Sequence, residues 1–330
     1  MRTSRSILTL PFLLGPNNGA GAPLGAPSWF VDMVDNTWTI VANGLGELLA
    51  DVLDTDSTNG VTDAWTGGCV DQDFGELIFP ANGGHTPANG WGNAVYANKI
   101  RSETPAWVRI TNQSNPTGGS EADGDYGDGK MRAVHGWHRC CWGNGKVWYP
   151  GQDGMAGEGL ASTRCWSFDR AALGDGPFPV SAANAPWADH GLALGTISIA
   201  YNIEAGVGGY DRVGNRVWGC LGNGEDTAGR SIYSIDASTN AITNYASTSL
   251  INISAQPRWG AIAHDLRVWI LGCDGFLVIV DLDNPTGGLI TRTPTGVTLP
   301  WFPYGAVYHQ PSRAVLLWDT SEGVNIIKLA

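Results

Sequence analysis

The stretch "GNGKVWYPGQDG" at residues 143–154 decides how this chain is read, because two close relatives follow it: "GNRVWGCLGNG" at 214–224 and "LRVWILGCDG" at 266–275. Each runs from a small or turn-forming pair through a basic residue, Val-Trp and a few mixed residues to a turn ending in Gly. Weaker copies, "GELIFPANGG" at 75–84 and "SRAVLLWDTS" at 312–321, extend the series. Marked at Gly75, Gly145, Asn215, Leu266 and Ser312, the copies are 70, 70, 51 and 46 residues apart. Self-similarity on such a period is the signature of a repeat architecture, in which each unit buries its apolar face only against the next.

Each copy has companions. About ten residues upstream lies an apolar segment: "AWTGGCVDQD" (64–73), "AVHGWHRCCW" (133–142), "GVGGYDRV" (206–213), "WGAIAHD" (259–265) and "YGAVYHQ" (304–310). Downstream comes a third: "NAVYANKI" (93–100), "TRCWSFDR" (163–170), "RSIYSIDA" (230–237), "LVIVDL" (277–282) and "VNIIKLA" (324–330). A fourth follows in four copies: "PAWVRIT" (105–111), "GPFPVSA" (176–182), "NAITNYAS" (240–247) and "GLITRTP" (288–294). The unit is therefore a four-stranded meander, and the fifth unit ends after three strands. Its missing strand is supplied by "NTWTIVA" at 36–42, which places β-formers behind a Trp as "PAWVRIT" does. The expected fold is all-β: a β-propeller of five four-stranded blades, closed by pairing of an N-terminal strand with the C-terminal blade.

Composition agrees. Of 330 residues, 46 are Gly and 15 are Trp, while only 15% are charged, which suits short strands and tight turns. The best helical candidate, "GLGELLADVL" at 44–53, is short. A formal net charge of −12 and the lack of Lys/Arg runs leave no footprint for nucleic acid. The six cysteines (69, 140, 141, 165, 220, 273) form no zinc-finger spacing, and most fall inside apolar segments, so they read as structural thiols. Residues 1–35 read as an arm rich in Gly and Pro ("GPNNGAGAPLGAP", 15–27), ordered from Met1 and too short in its apolar run to insert in a membrane. The alternative is a secretory leader over residues 1–22, whose "AGA" at 20–22 imitates a cleavage site.

The stretch from Asn36 to Thr111 resembles the kelch and galactose-oxidase-like propellers. In that family a Gly-Gly doublet ends the second strand, a Tyr sits in the third and a Trp opens the fourth; Gly83, Gly84, Tyr96 and Trp107 match. Later blades replace the doublet by Asp153-Gly154, Asn223-Gly224 and Asp274-Gly275 and lack the fourth-strand Trp. The resemblance implies the propeller over 36–330. The tyrosine-cysteine and paired-ligand copper centre of the family's oxidases does not map onto this chain.

Connections between the first and second strands are tight, whereas those from second to third strand and between blades are often long. In a meander the two long classes emerge at one end, so one face of the disc is trimmed and the other elaborated. Loops on a rigid scaffold are where binding is usually placed. The elaborated face is expected to carry His85, Trp91, Trp187, His190, Trp259, Trp301 and Tyr304 as ligand contacts, with Tyr126 nearby; aromatic side chains stack on sugars and anchor protein interfaces. In "EADGDYGDG" (121–129), Asp123, Asp125 and Asp128 are candidate oxygen ligands for Ca²⁺, although the spacing of the helix-flanked calcium loop is absent. No other cofactor is implied. His135 and His138 are an odd number apart on a strand and so point to opposite faces.

The functional expectation is a non-enzymatic structural protein of a bacteriophage virion surface, a head or tail fibre or spike subunit assembled in the host cytoplasm. It would dock on other virion proteins through residues 1–35, present a face to a host-surface glycan or receptor, and could form a homo-oligomer. The alternative is a secreted bacterial carbohydrate-binding or carbohydrate-active propeller.

Overall fold

The tight hairpin that opens each repeat sets the geometry of the chain. In the computed structural model the described residues are 67–71, 74–80, 93–100, 102–114, 128–132, 138–151, 164–192, 206–221, 231–245, 257–273, 275–287, 289–295, 305–319 and 323–329. They form a five-bladed β-propeller of antiparallel sheets. Blade 1 holds β1 (Cys69–Asp71), β2 (Glu76–Pro80), β3 (Val95–Asn98) and β4 (Trp107–Arg109). Blade 2 holds β5 (Cys141–Gly143), β6 (Lys146–Tyr149), β7 (Arg164–Phe168) and β8 (Trp187–Leu192). Blade 3 holds β9 (Gly206–Asp211), β10 (Arg216–Leu221), β11 (Ser231–Asp236) and β12 (Ile242–Asn244). Blade 4 holds β13 (Trp259–Ala263), β14 (Val268–Cys273), β15 (Phe276–Asp281) and β16 (Ile290–Arg292). Blade 5 shows β17 (Gly305–His309), β18 (Ala314–Asp319) and β19 (Gly323–Lys328) among the described residues. The expected closing strand at 36–42, the arm 1–35 and the candidate helix at 44–53 lie outside them.

First strands of successive blades lie side by side, β1 by β5, β5 by β9, β9 by β13 and β13 by β17, so they are the inner strands of the ring. Because alternate residues of a strand face opposite sides, each blade feeds two apolar layers. On β6, Val147 and Tyr149 enter the layer between blades 1 and 2, while Trp148 enters the layer between blades 2 and 3. A third layer joins blades 3 and 4, and a fourth joins blades 4 and 5.

The residue just before each second strand takes a left-handed backbone: Gly75 (φ 67°), Gly145 (74°), Asn215 (49°), Arg267 (52°) and Arg313 (46°). Left-handed geometry at the hairpin suits the twist of the strands it joins. This position corrects the sequence alignment, which marks blades 4 and 5 at Leu266 and Ser312, one residue too early. Register shows the slip: Arg216 faces Asp211 across the β9–β10 hairpin, and Val268 faces Ala263 at the equivalent place in blade 4. A one-residue slip turns every side chain to the other face. Trp218 therefore enters the layer between blades 3 and 4 from one side, and Trp269 enters it from the other. Their ring centroids are 6.5 Å apart. Gly260 makes room for this, since a Cβ there would stand 2.7 Å from Trp269 Nε1.

On the short-hairpin rim, polar contacts join each described pair of neighbours. Arg170 of blade 2 grips Glu76 of blade 1 through Nε–Oε2 (2.8 Å) and Nη2–Oε1 (3.0 Å). Asn144 Nδ2 donates to the Ala237 carbonyl at 2.9 Å, joining blades 2 and 3. Arg267 Nη1 donates to Asp211 Oδ1 at 2.6 Å, joining blades 4 and 3, and Tyr308 donates to Asp265 at 3.3 Å, joining blades 5 and 4. Burial would raise the Asp211 pKa, but hydrogen bonds from Arg267 and the Gly214 and Val213 amides outweigh it and hold the carboxyl below its ordinary 3.8.

One expected strand is misplaced in the sequence reading. The fourth strand of blade 2 is Trp187–Leu192, not 176–182. Pro177 and Pro179 have no N–H to give a ladder, so that segment contributes only an isolated parallel bridge, Val180 to Thr111 of blade 1. The connection 169–186 therefore makes a long excursion on the otherwise trimmed rim, with short 3₁₀ turns at Ala171–Leu173 and Ala182–Asn184. As expected, the cysteines are free thiols; five are buried, and Cys141 is half-buried.

Candidate functional site

On the loop-rich rim the long second-to-third-strand connections belong to blades 1 to 3, where β2–β3, β6–β7 and β10–β11 are joined by segments 81–94, 150–163 and 222–230. The corresponding connections in blades 4 and 5 are only 274–275 and 320–322. What the described residues show is how the roots of the long loops are held. Asn93, at the end of 81–94, is buried; its amide donates to Ser114 Oγ (3.1 Å) and the Met131 carbonyl (2.8 Å). Its side-chain oxygen accepts the Ser114 N–H at 2.8 Å. One amide thereby fastens the second-to-third-strand loop of blade 1 to both ends of the segment leading toward blade 2.

Two tyrosines pin the next roots. Tyr149 on β6 donates its hydroxyl to the Pro80 carbonyl at 2.7 Å, where the blade 1 loop leaves β2. Tyr233 on β11 does the same for the Pro150 carbonyl, where the blade 2 loop leaves β6. Burial first, and then neighbouring thiols, push both phenols above their ordinary 10.0. Both hydroxyls consequently remain protonated donors throughout the neutral range. Sequence reasoning singles out none of Asn93, Ser114, Tyr149 and Tyr233. The one available signal is that Tyr149 and Tyr233 stand beside or across from the start of a long loop.

The sequence-predicted contacts divide. His85, Trp91, Trp301 and Tyr304, and the acidic Asp123 and Asp125, lie outside the described residues, as does Tyr126. Trp187 and His190 stand on β8 instead of in an inter-blade loop. Trp187 is 8% exposed and packs on Phe168 with ring centroids 5.0 Å apart. Trp259 opens β13 and is 1% exposed, its indole filling the place that a side chain at Gly272 would take. These two indoles are core side chains with no free face to stack on a ligand. Asp128 Oδ1 accepts the Lys130 N–H at 2.9 Å in an exposed turn. Among the described residues no group of three or more His, Cys, Asp or Glu side chains is placed to hold a metal.

His190 is the predicted contact that keeps a polar environment. Its Nε2 is 2.9 Å from Ser167 Oγ, and its ring lies 5.1 Å from that of Trp148. Lys146 Nζ sits 5.8 Å from the Trp148 centroid. Burial, aided by Lys146 and opposed by Asp189, lowers the His190 pKa from 6.5, so the ring is neutral at neutral pH. A serine hydrogen-bonded to a neutral imidazole has the parts of a nucleophile and its base. Here Ser167 is 1% exposed, and a substrate carbonyl has no approach to it. Asp189 is engaged by Arg164 at the outer edge of the same blade. The nearby Cys165 thiol, pushed up to about 12 mainly by burial, is an unreactive neighbour.

Tyr96 lies in β3, and Trp107 opens β4 and stacks on Phe79 at 5.0 Å. No protein-family model matches the chain, and no curated protein matches it. Among solved structures, it is similar to the GH74 enzyme of Niastella koreensis at 11% identity and a TM-score of 0.47, covering 80% of this chain and 34% of that one. It is also similar to the GH74 xyloglucanase from Xanthomonas campestris at 12% identity and a TM-score of 0.43, covering 82% and 39%. A chain of a nidogen/laminin complex follows at 12% identity and a TM-score of 0.31, covering 50% and 53%. The chain thus spans between about a third and about half the length of these structures, and likeness of this degree carries no statement about activity.

Proposed function

We propose that this protein is a non-enzymatic recognition and assembly module, a surface component of a bacteriophage particle of the fibre or spike kind. Residues 1–35 serve as its docking segment, and the long-loop rim engages a host-surface glycan or receptor. The observation that supports this reading best is the asymmetry of the disc. One rim is locked blade to blade by short polar contacts, and at the other the roots of long loops are anchored by Asn93, Tyr149 and Tyr233. Anchoring of this kind lowers the ordering cost that a binding loop meets when it engages a partner. The Gly- and Pro-rich composition of 15–27 suits a tether more than a core.

Purified phage particles, digested and read by mass spectrometry alongside immunogold labelling, test the assignment. Stoichiometric presence with surface labelling is expected, and absence from intact particles would end it. A glycan array with the parent chain and the Trp91→Ala and Tyr304→Ala variants then reads the binding face. Binding weakened at least about tenfold in either variant is expected if the rim anchors a sugar through its aromatics. Equal binding by all three proteins refutes that face assignment.

A further inference from the structure

The six cysteines are not scattered evenly: Cys69 opens β1, and Cys140 directly precedes β5, its neighbour in the ring. Both thiols belong to the apolar layer between blades 1 and 2, with Tyr149 beside them. Their side chains are hydrogen-bonded to one another. Cys141, the next residue, turns the other way and packs in the layer between blades 2 and 3 with Cys165 and Tyr210. Alternation along the strand thus gives Cys69 one sulfur partner and keeps the adjacent thiol out of reach. Both residues are buried, at 9% and 8% exposure.

We propose that Cys69 and Cys140 form a redox-modification site, a latent disulfide that ties blade 1 to blade 2 across their inner strands. The oxidant is a low-molecular-weight disulfide such as oxidised glutathione. One cysteine loses its proton and attacks a glutathione sulfur, which breaks that S–S bond and releases one glutathione thiolate. The second cysteine, deprotonated in turn, attacks the mixed disulfide and releases the other. Two protein thiols are oxidised, and one glutathione disulfide is reduced to two thiols. The bond between Cys140 and Cys69, and then burial, holds the Cys69 thiol protonated well above its ordinary 9.0. Closure is accordingly slow at neutral pH and quickens as pH rises. The bridge would close a long loop in the unfolded chain, which favours the folded state.

The test uses the full chain, equilibrated with oxidised glutathione and separately refolded in its presence, then thiol-blocked and digested without reduction. A linked pair of peptides carrying Cys69 and Cys140 is expected. Because Arg139 and Lys146 bracket Cys140 and Cys141 within one tryptic peptide, the parent digest alone does not separate those two. The link should therefore persist in Cys141→Ser and vanish in Cys140→Ser. Thermal unfolding of the linked form should move up by about 5 °C and return on reduction. Absence of the link under both regimes, its persistence in Cys140→Ser, or a linked form that unfolds no higher than the reduced one would each overturn the proposal.

Discussion

Replacing Arg170 by methionine is the sharpest perturbation available to this fold. Arg170 is fully buried, and Glu76 is 2% exposed. The guanidinium holds both Glu76 oxygens at 2.8 and 3.0 Å, and its Nη1 donates to the Gly174 carbonyl at 2.6 Å. It also lies 4.4 Å from the Phe74 centroid and 5.0 Å from that of Phe178. Methionine keeps the aliphatic packing but strands a buried carboxylate in blade 1. Breaking a buried pair from one side costs about 3–5 kcal/mol. Unfolding entropy scales with chain length at roughly 2.1 cal/mol/K per residue, so a chain of this size should lose about 4–7 °C in melting temperature. The second change, Glu76→Leu in the Arg170→Met background, removes the stranded charge. Most of the loss should return, because well-packed apolar replacements of buried pairs are near neutral. Urea and heat unfolding of the parent, both single variants and the double variant, followed by tryptophan fluorescence and circular dichroism, close the cycle. If Arg170→Met falls within about 1 kcal/mol of the parent, or the double variant is as unstable as Arg170→Met, the ion pair is not what couples blades 1 and 2.

Two further outcomes follow from particular residues. Arg313 holds a left-handed backbone at φ 46° on an exposed hairpin, so Arg313→Gly should leave stability unchanged or raise it by about 0.5–1 kcal/mol; urea unfolding checks this, and a clear loss would mean that the side chain is an anchor. His190 and His264 both have folded-state pKa values below 6.5, chiefly through burial, so the unfolded chain takes up protons first as pH falls. Stability should therefore be fully present above about pH 6.5 and decline as pH drops toward the folded-state values, with a shallower decline in His190→Gln; identical melting-temperature profiles for the two proteins between about pH 7 and 5 would contradict the buried neutral imidazole.

The repeated Val-Trp phrase makes the five blades legible in the sequence, because every blade needs the same hairpin and second strand. The phrase hides its phase. A left-handed glycine or asparagine is readable at Gly75, Gly145 and Asn215, but Arg267 and Arg313 occupy the same place without advertising it. Blades 4 and 5 therefore slip by one residue, and the Trp218–Trp269 contact is invisible until register is known. The fourth strand of blade 2 is missed for a different reason. Alternating apolar residues at 176–182 imitate a strand, whereas Pro177 and Pro179 remove two of its donors and pass the role to 187–192. Aromatic residues near loop ends suggest ligand contacts, yet Trp187 and Trp259 fill the inter-blade layers. Type and loop proximity alone do not separate an indole that binds from one that packs. The groups that hold the loop roots make single polar contacts to backbone carbonyls distant along the chain, which leave no periodic trace in a sequence.

The ring itself is tested most directly by distance. Thr104 in blade 1, Thr239 in blade 3 and Thr286 in blade 4 are exposed at the same rim, each in a third-to-fourth-strand connection. Each can be changed to cysteine and spin-labelled in pairs while the native thiols stay mostly buried. In a closed five-membered ring, blade 1 is two steps from blade 3 and two steps from blade 4. The 104–239 and 104–286 distances measured by pulsed electron spin resonance should then agree within the spread of the labels. A 104–286 distance clearly longer than 104–239 would describe an open arc of blades and contradict the propeller.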